Sequence, residues 1–225
     1  METHLQHAVE RVQLWRDLVR IEPLPAHLAP TDENWHALMH ELEPLHERYV
    51  TEVSDRNWAA SLELSAFLWQ LCRAVDAKRV LELGSGFTSY VFRRYAEEAD
   101  HDVQVLSIDD DDAWLEKTSA FLRSLGVPDR DLTPLHERDE ALVGQFDLVF
   151  NDIVGAIRPA MTAVAADHTK PGGVLVLDDA NRVADRRSLL TAARDHRLRT
   201  YDLRPWTQDA IGRWALLATD SALLS

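Results

Sequence analysis

The sequence contains a single cysteine and no long apolar run, and both absences narrow the class of protein to expect. Cys72 has no partner within the chain, so no internal disulfide can form and a reducing, cytoplasmic compartment is expected. No stretch approaches the roughly 18 uninterrupted apolar residues that a membrane-spanning helix requires. The first twenty residues carry charges throughout and lack the apolar core of a secretory signal.

Basic residues are also scarce, because 24 lysines and arginines stand against 38 acidic residues and leave a net charge of -14. General binding to nucleic-acid phosphates or to anionic membranes relies on clustered basic residues, so we expect neither partner. Hydrophobic residues make up 46% of the 225, which is enough for one large folded core. The composition therefore favours a compact enzyme that acts on a small molecule.

The pattern changes near residue 78 and predicts two regions. Apolar residues at helical spacing predict helices over about residues 5–19, after Thr31, and over about 58–75. We interpret residues 1–57 as a helical extension that covers the substrate or forms a homodimer surface, and residues 58–225 as the main domain. Trp58 is predicted to face the core, whereas Trp35 and Trp206 are candidates for a lid over the site.

Beyond residue 78, short apolar runs alternate with helical stretches. Strands are predicted at residues 80–83, 103–108, 132–136, 146–151, 174–177, 199–204 and 213–219. Continuous apolar strands separated by helices are typical of a parallel sheet covered on both faces. Since no helix separates the last two strands, they should form an antiparallel hairpin at one edge. The fold class is α/β, with a Rossmann-like, doubly wound, mostly parallel sheet and N-terminal helices.

A glycine-containing loop follows the first predicted strand. Glu82, Gly84, Ser85 and Gly86 lie at the carboxyl end of that strand, where open parallel sheets bind ligands. Asp109 ends the second strand, 23 residues beyond Gly86, in the place of a carboxylate that accepts bonds from ribose hydroxyls. A tight turn with a capping aspartate is the alternative. The third glycine of a dinucleotide motif is missing, and Glu82 suits a cationic ligand, so NAD is disfavoured.

These segments resemble the class I S-adenosylmethionine-dependent methyltransferases. The resemblance rests on four segments in the family's order and spacing, VLELGSGFTS, VLSIDDD, FDLVFND and PGGVLVLDD, and covers roughly residues 58–219. It implies that the glycine loop lies beneath the methionine part of S-adenosylmethionine and that Asp109 holds the ribose. It also implies adenine contacts from residues after the third strand, with His136, Glu137 and Asp139 as candidates.

A second group of carboxylates follows the fourth and fifth strands. Asp152, Asp178 and Asp179 should converge at one sheet edge, where hard oxygen ligands suit Mg²⁺ or another divalent cation. Here the resemblance narrows to catechol- and caffeoyl-CoA-type O-methyltransferases, which hold a metal with an Asp and an Asp-Asn pair at the matching positions. Acidic residues at this edge also occur without a metal, so both alternatives stay open.

The residue that removes the acceptor proton is not identified by the sequence. The catechol-type group has a lysine base three residues after its first metal aspartate, but Gly155 stands there in this chain. Lysine is scarce throughout, with three in the chain. Asp152, His168 or chemistry assisted by Arg158 would have to replace the lysine.

The favoured hypothesis is an S-adenosylmethionine-dependent methyltransferase that acts on a small-molecule oxygen with metal assistance. One alternative is a metal-independent N-methyltransferase. Another is a cyclase that consumes S-adenosylmethionine to form a small-ring amino acid, and a third is a noncatalytic cofactor-binding or scaffold protein.

Overall fold

The computed structural model describes residues 21–220, together with residues 14 and 17–19, so the predicted first helix lies mostly outside the described residues. The strands are β1 (Glu22–Pro23), β2 (Arg79–Leu83), β3 (Gln104–Asp109), β4 (Leu132–Pro134), β5 (Phe146–Asn151), β6 (Thr169–Leu177), β7 (Arg199–Asp202) and β8 (Leu216–Thr219). The helices are α1 (Asp32–Glu52), α2 (Leu62–Ala74), α3 (Phe87–Glu98), α4 (Asp112–Ser124), α5 (Arg138–Ala141), α6 (Arg158–His168), α7 (Val183–His196) and α8 (Arg204–Thr207), with a 3₁₀ turn at Leu135–Glu137. No helix in this part of the chain is both long and apolar enough to cross a membrane.

The strands form one mixed sheet in the order β1-β7-β8-β6-β5-β2-β3-β4. Neighbours from β6 through β4 pair in parallel, whereas β8 runs antiparallel to both β6 and β7. The doubly wound α/β prediction and the antiparallel C-terminal pair are therefore confirmed. The two residues of β1 pair in parallel with β7 and form the outer edge on that side.

Helices cover both faces of the sheet and create two apolar clusters. One contains Phe67, Phe87 and Phe150, and the other contains Met161 and Leu189, all nearly or fully buried. Burying one such side chain contributes about 1.5–3 kcal/mol to the stability of the fold. Because the sheet is covered on both faces, its strands are apolar along their whole length.

Helix α1 belongs to the same core. Its Leu42 and Tyr49 are fully buried in the first cluster, and the Tyr49 and Phe87 rings lie 5.7 Å apart. The described part of the predicted N-terminal extension therefore packs against the sheet domain.

Helix α2 begins later than predicted, and this changes the position of Trp58. Ser61 caps the helix, since its hydroxyl accepts a bond from the Leu64 amide at 3.1 Å. Trp58 lies in the preceding turn with 72% of its surface exposed, so its prediction as a core residue was wrong. Helical periodicity alone did not reveal the cap.

Strand β6 begins five residues before the strand predicted at residues 174–177. It starts at Thr169, and its pairing with β5 shifts register between Phe146 and Leu148. A Cβ at Gly173 would lie 2.9 Å from the Asp147 carbonyl oxygen, so the glycine permits close strand approach at this irregularity.

Candidate functional site

A cavity of about 320 Å³ opens at the carboxyl ends of four neighbouring strands. Its wall includes Gly84 and Ser85 after β2, Asp109–Asp111 at the end of β3, Asp152 after β5, and Asp178 and Asp179 after β6. The order of these strands brings the two predicted groups of site residues into one cavity.

Gly84 allows the loops after β2 and β5 to touch. Its φ is +96°, and a Cβ there would lie 2.6 Å from the Asp152 carbonyl carbon. The Asp152 amide donates to the Leu83 carbonyl at 2.7 Å. A residue with a side chain would both strain the backbone and push the two loops apart.

Asp109 ties the glycine loop to the end of β3. Its Oδ2 accepts the Ser85 amide at 2.6 Å, and its Oδ1 accepts the Asp111 amide at 3.0 Å. Burial raises the pKa of this carboxyl. The Trp114 indole, which the sequence analysis did not single out, donates to the Ser85 carbonyl at 2.7 Å from the first turns of α4.

Glu82 lies behind the loop and supports it. Its two carboxylate oxygens accept the hydroxyls of Thr88 and Ser89 at 2.5 and 2.6 Å, and Ser89 Oγ accepts the Gly86 amide at 3.0 Å. Burial raises the pKa of this carboxyl, which is fully buried. Glu82 and Gly86 therefore shape the loop, whereas Gly84 and Ser85 line the cavity.

The three predicted metal ligands do come together. One carboxylate oxygen from each of Asp152, Asp178 and Asp179 lies within 4.8 Å of the others. Burial, followed by the charge of Asp179, raises the pKa of Asp178 to about 7. Burial and the charge of Asp178 raise the pKa of Asp152 well above its usual value. Like charges held close together in a buried site account for both directions.

Arg158, at the start of α6, lies among these carboxylates. Nη2 donates to Asp152 Oδ1 at 2.7 Å, and Nη1 donates to Asp179 Oδ2 at 2.8 Å and to Asp185 Oδ2 at 3.3 Å. The Arg158 side chain is 4% exposed, and the surrounding carboxylates raise its pKa. A permanent positive charge is therefore built into the cluster.

Comparison with known proteins now identifies the fold. The chain is similar to an O-methyltransferase from Bacillus cereus in complex with SAH, with 18% identity, a TM-score of 0.60, and coverage of 84% of this chain and 90% of that chain. The O-methyltransferase TomG from Streptomyces achromogenes, in complex with SAM, shows 16% identity, a TM-score of 0.56, and coverage of 93% and 96%. The chain has a methyltransferase fold. No protein-family model and no curated protein sequence matches it.

Two predicted site residues lie away from the cavity of this methyltransferase fold. His168 ends α6 just before β6 begins, at the opposite end of the sheet from Asp178, and its ring hydrogen-bonds the Gly144 carbonyl at 2.9 Å. The structure therefore does not support His168 as a catalytic residue. Asp139 lies on the short α5 with an 88% exposed side chain paired with Arg138, so it does not line the cavity either.

The cavity mouth contains a residue that the sequence analysis assigned to the core. Trp58 borders the cavity beside Asn57. Arg213 fastens this turn, since its guanidinium donates to the carbonyls of Asn57 and Arg56, each at 3.0 Å, while Nε donates to Asp209 at 2.7 Å. Arg213 and Asn57 are 156 residues apart, so no local pattern in the sequence predicts their contact.

The two predicted lid tryptophans instead pack against the core. Trp35 and Trp206 are partly buried against the first apolar cluster, and the Trp206 ring lies 6.5 Å from Phe67. The structure therefore shows packing, the alternative to a lid, for both residues.

The cavity wall carries an arginine near the expected lysine position. A Cβ at Gly155 would lie 3.2 Å from Arg182 Nη1, and the same nitrogen lies 3.0 Å from Asp179 Oδ2. Gly155 thus leaves space for a guanidinium that comes from the residue preceding α7.

Proposed function

We propose that this protein is an S-adenosylmethionine-dependent methyltransferase that transfers the methyl group to an oxygen of a small-molecule acceptor. The observation that carries the proposal is the single cavity that joins the glycine loop and Asp109 to the buried carboxylates Asp152 and Asp178. In a methyltransferase fold, a ligand that spans these strand ends places its reactive group beside the carboxylates.

In this proposal the Asp109 carboxylate accepts hydrogen bonds from the ribose hydroxyls of the cofactor. Each of its oxygens already accepts one backbone amide and keeps a second lone pair, so the carboxylate is oriented before the ligand arrives. Gly84 and Ser85 present backbone atoms to the methionine part of the cofactor. The excess of carboxylates in the cavity favours a sulfonium cation over a neutral or anionic ligand.

The protein's contribution to the reaction is alignment and the removal of one proton. Bound S-adenosylmethionine would supply an activated methyl group, which the acceptor oxygen would take while the electron pair of the broken C–S bond would stay on sulfur. The acceptor proton passes to a carboxylate at the cavity, for which Asp152 and Asp178 are placed. Arg158 keeps Asp152 in position through their 2.7 Å hydrogen bond.

The cofactor assignment is tested by isothermal titration of the protein with S-adenosylmethionine and S-adenosylhomocysteine. We expect both to bind, and Asp109→Asn to weaken binding about 10- to 100-fold, because hydrogen bonds to a charged group are lost. Asp139→Asn is the matched control, since this carboxylate is exposed and outside the cavity. Failure of both ligands to bind the folded wild-type protein would refute the proposal.

Methylation of an amine is a second candidate, favoured by the acidic character of the cavity, which would attract an ammonium group before its deprotonation. Mass spectrometry of products from oxygen and nitrogen acceptors separates the two candidates. Incubation with the cofactor alone tests for cyclisation, because that reaction needs no acceptor.

A further inference from the structure

The guanidinium of Arg158 lies in the group of carboxylates that the sequence predicts as metal ligands. Spacing alone would admit a divalent cation, because one oxygen from each of Asp152, Asp178 and Asp179 lies within 4.8 Å of the others. The hydrogen bonds that these carboxylates accept, and the positive charge of Arg158 beside them, argue against a bound divalent cation.

One oxygen of each carboxylate already accepts a hydrogen bond. Asp152 Oδ1 and Asp179 Oδ2 each accept a charged bond from Arg158, at 2.7 and 2.8 Å. Asp179 Oδ2 also lies 3.0 Å from Arg182, and Asp178 Oδ1 accepts the Asp179 amide at 2.6 Å. Asp179 Oδ1 is buried without a partner among the described residues, and it is the oxygen that a metal would most readily use.

Arg158 is fixed where it lies. Besides the bonds to Asp152, Asp179 and Asp185, Arg158 Nε donates to the Ile153 carbonyl at 2.7 Å, and the side chain is nearly inaccessible to solvent. Moving the guanidinium aside would leave buried carboxylates without their counter-charge, which is strongly unfavourable. A divalent cation held by the same carboxylates would lie beside this positive charge and be repelled by it.

We propose that Arg158 replaces a divalent metal ion in this site. The arginine neutralises and orients Asp152 and Asp179, so the residues present do not suit a resident metal and the site works without one. Arg158 is thus a positioning residue that acts through the carboxylates. This inference rests on the proposed methyl transfer, because it concerns the charges that surround the reacting groups in the same cavity.

The experiment measures binding of Mn²⁺ to the full chain by electron paramagnetic resonance and calorimetry, with and without S-adenosylhomocysteine. We expect the wild type to show no binding below about 1 mM, the range of the weakest protein sites for divalent cations. Arg158→Met removes the charge at similar volume and should raise Mn²⁺ affinity at least about tenfold, because repulsion is relieved. Arg158→Lys retains a cation and should remain a weak binder.

A second variant covers the case in which Arg158→Met fails to fold. The double variant R158M/D179N removes one positive and one negative charge, and it creates the Asp-Asp-Asn set that the catechol-type resemblance implies for a metal site. We expect it to fold and to bind Mn²⁺ more tightly than wild type. Equal or weaker Mn²⁺ binding by the folded variants, or tight Mn²⁺ binding by the wild type, would overturn the inference.

The same samples keep this inference separate from the proposed function. S-adenosylhomocysteine binding to the wild type tests the cofactor assignment alone. A wild type that binds S-adenosylhomocysteine and also binds Mn²⁺ tightly would leave the methyltransferase proposal standing and reject the role of Arg158.

Discussion

Gly84 has no side chain, and the arrangement of the site depends on that absence. The atoms that would meet a Cβ belong to the Asp152 and Ile153 backbone, so they cannot rotate away as a flexible side chain would. The same residue therefore sets the distance between the glycine loop and Asp152.

Gly84→Ala should reduce the free energy of unfolding by at least about 1–3 kcal/mol, because the added methyl group overpacks a backbone contact. It should also weaken S-adenosylhomocysteine binding. Gly126→Ala is a matched control, since Gly126 also has a positive φ, of +72°, but has nothing within 4 Å of the added Cβ. Urea denaturation and calorimetry of both variants measure the effect, and similar losses in both would show that backbone strain alone is responsible.

The site residues that the sequence predicts correctly are those that follow directly from their position at the end of a strand. The carboxyl ends of parallel strands meet at one sheet edge, so Asp109, Asp152 and Asp178 could be placed together without any structure. His168 was misplaced although the same rule applies, because it precedes β6 and lies at the amino end of that strand.

The roles of Trp58 and Arg213 could not be predicted in the same way. They depend on a contact between two loops far apart in sequence, and neither loop has a periodic pattern. The position of Arg158 within the carboxylate cluster likewise follows from the direction of α6 against β5 and β6. The spacing of residues along the sequence does not predict how these elements pack.

At the scale of the elements, a histidine joins α1 to the segment that leads into α2. The His46 ring donates to the Ala60 carbonyl at 2.9 Å, and it packs edge-on against Phe87 with ring centres 5.0 Å apart. Burial lowers the pKa of His46, so the folded protein holds it in the neutral form. This contact supports the turn that carries Trp58.

His46 should make stability depend on pH in the mildly acidic range. The unfolded chain binds a proton at a pKa of about 6.5, whereas the folded chain binds it only at lower pH, so stability falls as pH decreases below that value. His46→Gln can still donate to the Ala60 carbonyl but does not titrate. Urea denaturation between about pH 5 and pH 8 should show a destabilisation by His46→Gln that is largest at neutral pH and shrinks on acidification. A difference that is independent of pH would contradict this account.

At the scale of the whole molecule, β8 connects two parts of the sheet. It pairs with β6 on one side and β7 on the other, and within the described residues β1 joins the sheet through β7. Ala218 is fully buried and lies opposite Leu175 and Thr200 in the two neighbouring strands. An interruption at this position should therefore affect both halves of the sheet.

Ala218→Pro should reduce the free energy of unfolding by at least about 1–3 kcal/mol, because proline removes an amide donor from the middle of a sheet and leaves a buried carbonyl without its partner. Ala218→Gly keeps that donor and should cost about 0.5–1 kcal/mol. Urea denaturation of both variants gives the comparison. Comparable losses would mean that the Ala218 amide is not important for joining the strands.

The position of β8 also has a consequence for how the chain is made. Among the described strands β8 is synthesised after all the others, yet β7, with β1 at its outer edge, cannot join β6 until β8 has inserted between β6 and β7. Pairing of Glu22 with Tyr201 closes a loop of most of the chain, which is a slow type of contact to form. The parallel part of the sheet, from β2 to β6, is already synthesised by then, so we expect a nascent chain whose unpaired β6 edge favours association until β8 has been synthesised.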